Sequence, residues 1–232
     1  MEDISSEFAP RYPVLLTEQV AEFLAKALIE GQIKQGERLN ENELGRRFGI
    51  SRSPIRESFR VLERDGFLIR VPRKGTFVRE ITQRDIEEIF PVRAYLEGLA
   101  ARMAASSIDG KHMDELKGLL GKMVEAVKEK NPARYRKHHF EFHNGFIRAS
   151  KNAILINILE RLRRQSIWYM FSDFFSHEAF ELESAISVHQ KILELLAERR
   201  GEELDPLVRD HVFSTYHRFL RFLRMKATPT GK

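Results

Sequence analysis

Apolar residues return every three or four positions between Leu15 and Glu30. Leu16, Val20, Phe23, Leu24 and Ile29 share one helical face, and Gly31 supplies a stop. A short second helix is predicted to start at Asn40, an N-cap residue, with Glu43 three positions on as its capping-box partner. Phe48–Arg52 reads as a tight turn around Gly49. Ser51 or Ser53 then caps a third helix, with Pro54 in its first turn and Gly66 at its end. After Gly66 the pattern becomes strand-like: Phe67–Val71 and Thr76–Arg79 are short β-type runs joined at Pro72–Gly75. Three helices and a hairpin in this order predict a winged helix-turn-helix over residues 1–80.

From Thr82 onward the spacing is helical throughout. Six amphipathic segments are predicted near 83–108, 111–129, 132–150, 152–175, 179–200 and 203–226. The expected breaks are Asp109-Gly110, Asn131-Pro132, Lys151-Asn152 and Gly201, and Pro91 should kink the first segment. The fold class is therefore mainly α: a winged helix-turn-helix followed by an all-helical bundle of about six helices over residues 81–227, with 228–232 as a tail.

Composition narrows the function. The chain has no cysteine, so thiolate metal sites, cysteine nucleophiles and disulfides are excluded. There is no membrane-spanning apolar run, and MEDISSEFAP lacks the basic and apolar regions of a secretory signal, so a cytoplasmic protein with no membrane partner is expected. Charge is placed unevenly. Residues 32–80 carry 12 Lys and Arg against 7 Asp and Glu, which accounts for the whole of the chain's net +5. A local excess beside a neutral remainder points to a polyanion.

The third helix shows how such a partner would be met. Arg52, Arg56, Arg60 and Arg64 recur every four residues, each displaced by about 40° from the last, and form one cationic stripe. Ile55, Phe59 and Leu62 fall on another face and hold the helix to a core. Arginine forks suit guanine edges and phosphates, Ser51 and Ser53 suit backbone phosphate, and Arg73-Lys74-Gly75 in the wing can reach a neighbouring groove or backbone. A solvated helix with its arginines paired to Glu57, Glu63 and Asp65 would show the same stripe. The turn, the wing and the charge excess favour DNA.

These residues carry a family resemblance. The run ERLNENELGRRFGISRSPIRESFRVLERDGFLIRVPRKGTFVR strongly resembles the DNA-binding domain of GntR-type bacterial transcription regulators, over about residues 12 to 80. The resemblance places Ser51, Arg52, Ser53, Arg56 and Gly75 at operator-contact positions. Asn42 stands where the second helix often has Arg, which removes one base contact from any borrowed operator.

The stretch HHFEFHNGF, residues 138–146, holds three of the eight histidines. His139 and His143 are i and i+4, on one helical face about one turn apart, a geometry that suits a divalent ion. His138 is turned about 100° away and reads as a bystander, and Glu141 points to nearly the opposite side. His189 and His211 lie on later amphipathic stretches beside apolar neighbours, which suggests interior positions. An i,i+4 histidine pair also arises with no metal role, and the residues alone leave that open. No HExxH, glycine-rich phosphate loop or serine elbow is present, and no carboxylates pair convincingly, so no enzyme is predicted.

The helical part resembles the FCD effector domain of the FadR-type branch, through VRAYLEGLAARMAA (92–105), FHNGFIRASKNAIL (142–155), SVHQKILELL (187–196) and VRDHV (208–212). In many such domains one Asp and three His hold a divalent metal. The resemblance puts His143, His189 and His211 on the histidine positions and His139 on that of the aspartate. A four-histidine set suits Zn²⁺ or Ni²⁺, also Cu²⁺ or Co²⁺, and disfavours Mg²⁺, Ca²⁺ and Mn²⁺. It also removes one negative charge, leaving an ion its full +2 for an anionic effector. Without metal, the four imidazoles would receive an anion directly or titrate together near pH 6 to 7. The resemblance further implies that Arg93, in an RxxLE pattern, binds an effector carboxylate; a plain Arg93–Glu97 helix pair is the alternative. Asn152 reads as an N-cap, and Trp168, Tyr169 and Phe171 as core or dimer surface.

The expectation is a homodimeric repressor of transcription that binds palindromic operator DNA and is released by a small organic acid held at the metal and Arg93. A metal sensor with the ion itself as effector, a metal-dependent enzyme with a DNA-binding appendage, and a purely architectural DNA-binding protein are the alternatives.

Overall fold

The computed structural model describes residues 15–29, 32–80, 82–170 and 182–227. Its contacts divide into two compact units, one of Met1–Thr82 with Arg164–Ser172 and the other of Gln83–Arg163 with Asp173–Lys232. In the first, α1 (Leu16–Ile29), α2 (Glu41–Phe48) and α3 (Arg52–Arg64) enclose a core of Val20, Leu24, Leu28, Leu44, Ile55, Phe59 and Leu62. Asn40 caps α2: its side-chain oxygen accepts from the backbone N–H groups of Asn42 and Glu43 at 2.9 and 3.3 Å. Glu43 makes an ion pair with Arg47 at 2.7 Å. Gly49 ends α2 in the left-handed region (φ 67°), which lets the chain turn sharply into α3. Ser51 occupies the N-cap position of α3 but makes no side-chain cap hydrogen bond, so its hydroxyl is not used by its own helix.

The wing is antiparallel β2 (Leu68–Val71) against β3 (Gly75–Val78), with Leu68 opposite Val78 and Val71 opposite Gly75. A third strand, β1 (Arg38–Leu39), joins the other side of β3, giving the order β1-β3-β2. β1 escaped the sequence reading because two residues are too few to show a period.

The second unit is helical: α4 (Gln83–Ser107), α5 (Gly110–Lys128), α6 (Pro132–Ala149), α7 (Ala153–Met170) as far as Arg163, α8 (Leu182–Ala197) and α9 (Gly201–Ala227). Asp109 and Asn131 cap α5 and α6 through their side chains, and the Asn152 side chain accepts from Leu155 N–H at 3.1 Å before α7. Pro91 lies inside α4 without dividing it. Gly201 begins α9, whose preceding turn has Arg199 at positive φ. The α4 and α9 backbones approach closely at Gly98, where an added Cβ would lie 2.9 Å from the Asp205 carbonyl oxygen. Phe90, Ala94, Ala101, Phe142, Phe146, Ile192, Leu196 and Val208 are among the buried apolar residues of this unit. The expected stop at Gly31, Phe171, the side chains of Trp168 and Tyr169, and the tail 228–232 lie outside the described residues. Among those described, no helix is long and apolar enough to cross a membrane.

Candidate metal centre and nucleic-acid interface

Two helical turns of α6 set the first half of the site. Tyr135, His139 and His143 follow at intervals of four, so their side chains stand in one line. α8 brings His189 and α9 brings His211 to the same place. The ligand atoms of His139, His143, His189 and His211 all lie within 4.8 Å of one another. His143 and His189 approach most directly, with Nε2 atoms 3.3 Å apart. Three of the rings are almost wholly buried (His143 2%, His189 0%, His211 7% exposed), whereas His139 is only half-buried. His138 lies off this line and pairs through Nδ1 with Glu141 at 3.0 Å.

Behind His143 stands a carboxylate that sequence reading did not place at the site. Glu97 Oε2 accepts from His143 Nδ1–H at 2.8 Å, which leaves the Nε2 lone pair facing the other imidazoles. The other oxygen, Glu97 Oε1, accepts from Arg93 Nε and Nη2 at 3.0 and 2.8 Å. Arg163 Nη1 lies 3.9 Å from Glu97 Oε2. Burial pushes the Glu97 carboxyl up, but Arg93, Arg163 and His143 outweigh it and hold the group well below the ordinary carboxylate value. Arg163 itself is drawn down to about 10, by burial first. Arg93 is 6% exposed and engaged by Glu97, so the helix pair weighed as its alternative role is present in the structure. The spacing of residues 93 and 97 suggested that pair, but nothing local could reveal that Glu97 also reaches His143, 46 positions away.

The imidazoles of His139, His143 and His211 are held toward the neutral form. Burial lowers His139, His143 and His211 below the usual 6.5, and the neighbouring imidazoles add to this at His139 and His211. At His143 the Glu97 carboxylate opposes the shift without reversing it. The titration near pH 6 to 7 expected from free imidazoles is therefore displaced downward at these three, because burial disfavours charge. Neutral imidazoles keep their lone pairs available. One of them, on the buried His211 Nε2, has no hydrogen-bond partner.

These features fit a transition metal. Nitrogens bound tetrahedrally at about 2.0–2.1 Å lie about 3.4 Å apart, close to the His143–His189 separation of 3.3 Å. An orphaned buried nitrogen, neutral rings and a carboxylate orienting one of them from behind are what such a site needs. An all-nitrogen donor set matches borderline cations and not hard, oxygen-seeking ones.

In the first unit α3 buries Ile55, Phe59 and Leu62 and turns Ser51, Arg52, Ser53, Arg56, Arg60 and Arg64 to solvent. The Arg52 side chain is 67% exposed and only loosely opposed by Glu41 at 3.9 Å, while Arg60 pairs with Glu57 at 2.9 Å. Arg73 and Lys74 are exposed at the wing tip, with Arg73 at φ 62° and Gly75 at φ 117°. Gly75 also lets the strand pass Arg38, whose Nε would be 3.1 Å from an added Cβ. Asn42 is exposed in the first turn of α2.

Comparison with known proteins agrees with this division. Residues 16–78 match the bacterial regulatory proteins of the gntR family, and residues 88–214 match the FCD domain. A probable D-xylose utilization operon transcriptional repressor of Paenarthrobacter nicotinovorans is 30% identical over 199 residues, covering 86% of this chain and 84% of the relative. An uncharacterized HTH-type transcriptional regulator, YdhC of Bacillus subtilis (strain 168), is 34% identical over 140 residues, 60% of this chain and 62% of that protein. Among solved structures, E. coli McbR/YncC superimposes with a TM-score of 0.80 at 23% identity, covering 91% of this chain and all of that one, a likeness of fold.

Proposed function

The chain belongs to the gntR family of bacterial regulatory proteins and carries an FCD domain, and from this we propose that it is a repressor whose helical domain binds a small organic acid through a transition metal. That it is a DNA-binding transcription regulator of this type, and not an enzyme, follows from the family itself. The observation that carries the finer reading is the quartet of clustered histidines, three of them buried, in the domain that accompanies the winged helix.

His139, His143, His189 and His211 would hold the ion, with Zn²⁺ or Ni²⁺ the best match to four imidazoles. When bound, such an ion would offer its positive charge to a carboxylate, which would join the four imidazoles as a fifth ligand. The chain's own residues do the rest. Glu97 fixes the His143 tautomer, and Arg93 and Arg163 keep Glu97 ionised. Burial keeps the histidines neutral and ready to coordinate. On DNA, a homodimer would set two α3 helices in successive major grooves. Arg52, Arg56 and Arg60 would meet bases and phosphates, Ser51 and Ser53 the phosphate backbone, and Arg73, Lys74 and Gly75 the flanking groove. The repressor name of the D-xylose relative supports the sign of regulation. The acid lowers operator affinity only by its differential affinity for the DNA-free state.

The test is fluorescence anisotropy on promoter DNA with metal-free protein, zinc-loaded protein, and zinc-loaded protein plus organic acids. Release by acid only when zinc is present supports the reading. Release by zinc alone makes the ion the effector. Unchanged DNA binding in Arg52→Ala and Arg56→Ala would remove α3 as the recognition helix.

A further inference from the structure

The sheet that carries the wing holds a cation that neither α3 nor the wing turn supplies. In β1 the register sets Arg38 opposite Phe77 and Leu39 opposite Thr76. Side chains alternate along a strand, so Leu39 and Thr76, both buried, face inward. Arg38 then faces outward with Phe77, and with Gly75 two residues back along β3. Arg38 is exposed and makes no hydrogen bond or ion pair with any described residue. Arg47 and Arg60 of the same unit, by contrast, pair with Glu43 and Glu57.

The Arg38 head group is laid along the wing. From a Cβ built on Gly75, Arg38 Nε is 3.1 Å away, Nη2 3.5 Å and Cζ 3.7 Å, so the guanidinium lies over the Gly75 backbone. Glycine is needed there twice: its φ of 117° is one that L side chains rarely adopt, and a Cβ would press on the guanidinium. The turn between β2 and β3 leads directly into Gly75, and Arg73 and Lys74 are exposed on it. This end of the sheet therefore carries three cations, two from the wing turn and one brought by β1.

We propose that Arg38 is a DNA-contacting residue that binds a backbone phosphate beside the groove the wing enters. The proposal rests on the reading of the wing as a DNA contact and adds a residue from outside the wing turn. Phosphate is a better match than a base edge, because the head group lies back on the sheet while Arg73 and Lys74 stand at the turn itself. A guanidinium fork gives two phosphate oxygens charge-assisted hydrogen bonds. With no carboxylate holding it, Arg38 binds at the cost of water and the release of counterions. Such a contact fixes where the wing sits on the duplex and carries no sequence information.

The experiment is fluorescence anisotropy of full-length protein on its own promoter DNA and on a random-sequence duplex of equal length, from roughly 50 to 200 mM salt. Arg38→Gln should weaken both complexes about tenfold at the low-salt end, the value of one charge-assisted hydrogen bond. It should also flatten the plot of log affinity against log salt by about 0.9 for each chain bound. Arg38→Lys keeps the charge and should retain the wild-type slope with a smaller loss of affinity. Thermal melts check that both variants fold. Wild-type affinity in Arg38→Gln, a loss with the wild-type slope, or a loss on the promoter alone each overturns the phosphate contact. A Lys74→Gln variant separates this from the wing reading. If only Lys74→Gln weakens binding, the wing stays on DNA and Arg38 is removed; if neither does, both readings fall.

Discussion

Replacing Glu97 by Gln isolates the group on which the candidate metal centre is built. Glu97 is fully buried and is bonded to His143 and to Arg93, with Arg163 at 3.9 Å. Gln preserves the shape and one acceptor oxygen but removes the negative charge, leaving two buried guanidinium groups facing a neutral amide. Two consequences are separable. Loss of the outer-shell carboxylate lowers His143 basicity and loosens its tautomer, and such losses weaken metal binding about 10- to 100-fold. Removing one member of a buried ion pair costs about 3–5 kcal/mol of stability, and Gln, which still accepts a hydrogen bond, should fall at the low end. The first is read by zinc competition against a chromophoric chelator, the second by urea unfolding of metal-free protein. Glu97 has a depressed folded-state pKa, so its contribution is complete above about 4.5 and fades as pH falls below that value. The difference in stability between wild type and variant should shrink there. A folded Glu97→Gln protein that binds zinc as tightly as wild type would show that the carboxylate does not hold His143 for a metal.

Three further outcomes follow from the same structure. His139→Asp restores a hard oxygen donor and should raise Mn²⁺ affinity relative to Zn²⁺; calorimetry showing no change in that ratio would contradict the donor-set argument. Because His139, His143 and His211 have pKa values below 6.5 in the fold, the unfolded chain binds more protons as pH drops under 6.5, so metal-free protein should lose stability from pH 7 toward pH 5. Thermal melts across that range measure it, and a flat profile would mean the rings are not held neutral by burial. Gly98→Ala puts a methyl group 2.6 Å from Asp205 Oδ1 and 2.9 Å from its carbonyl oxygen, and should destabilise the helical unit by about 1–3 kcal/mol in urea unfolding.

The helices were legible because each buries one stripe. The segments read near 83–108 and 111–129 appear as Gln83–Ser107 and Gly110–Lys128, and the caps at Asp109, Asn131 and Asn152 stand where the local chemistry asks for them. Side-chain use at the ends was less legible. Ser51 occupies its cap position without bonding its helix, and Glu43 pairs with Arg47, because an exposed polar group has several partners of similar energy. The two-residue strand β1 exists only because β3 offers it a partner.

By itself the sequence determined where the helices lie, the cationic stripe on α3, and the pairing of His139 with His143, since all of these depend on spacing along one helix. Tertiary structure alone decided that four imidazoles from three helices meet in a largely buried site, and that Glu97 stands behind His143. These contacts join residues tens of positions apart, and their partners and protonation follow from how the helices pack and exclude water.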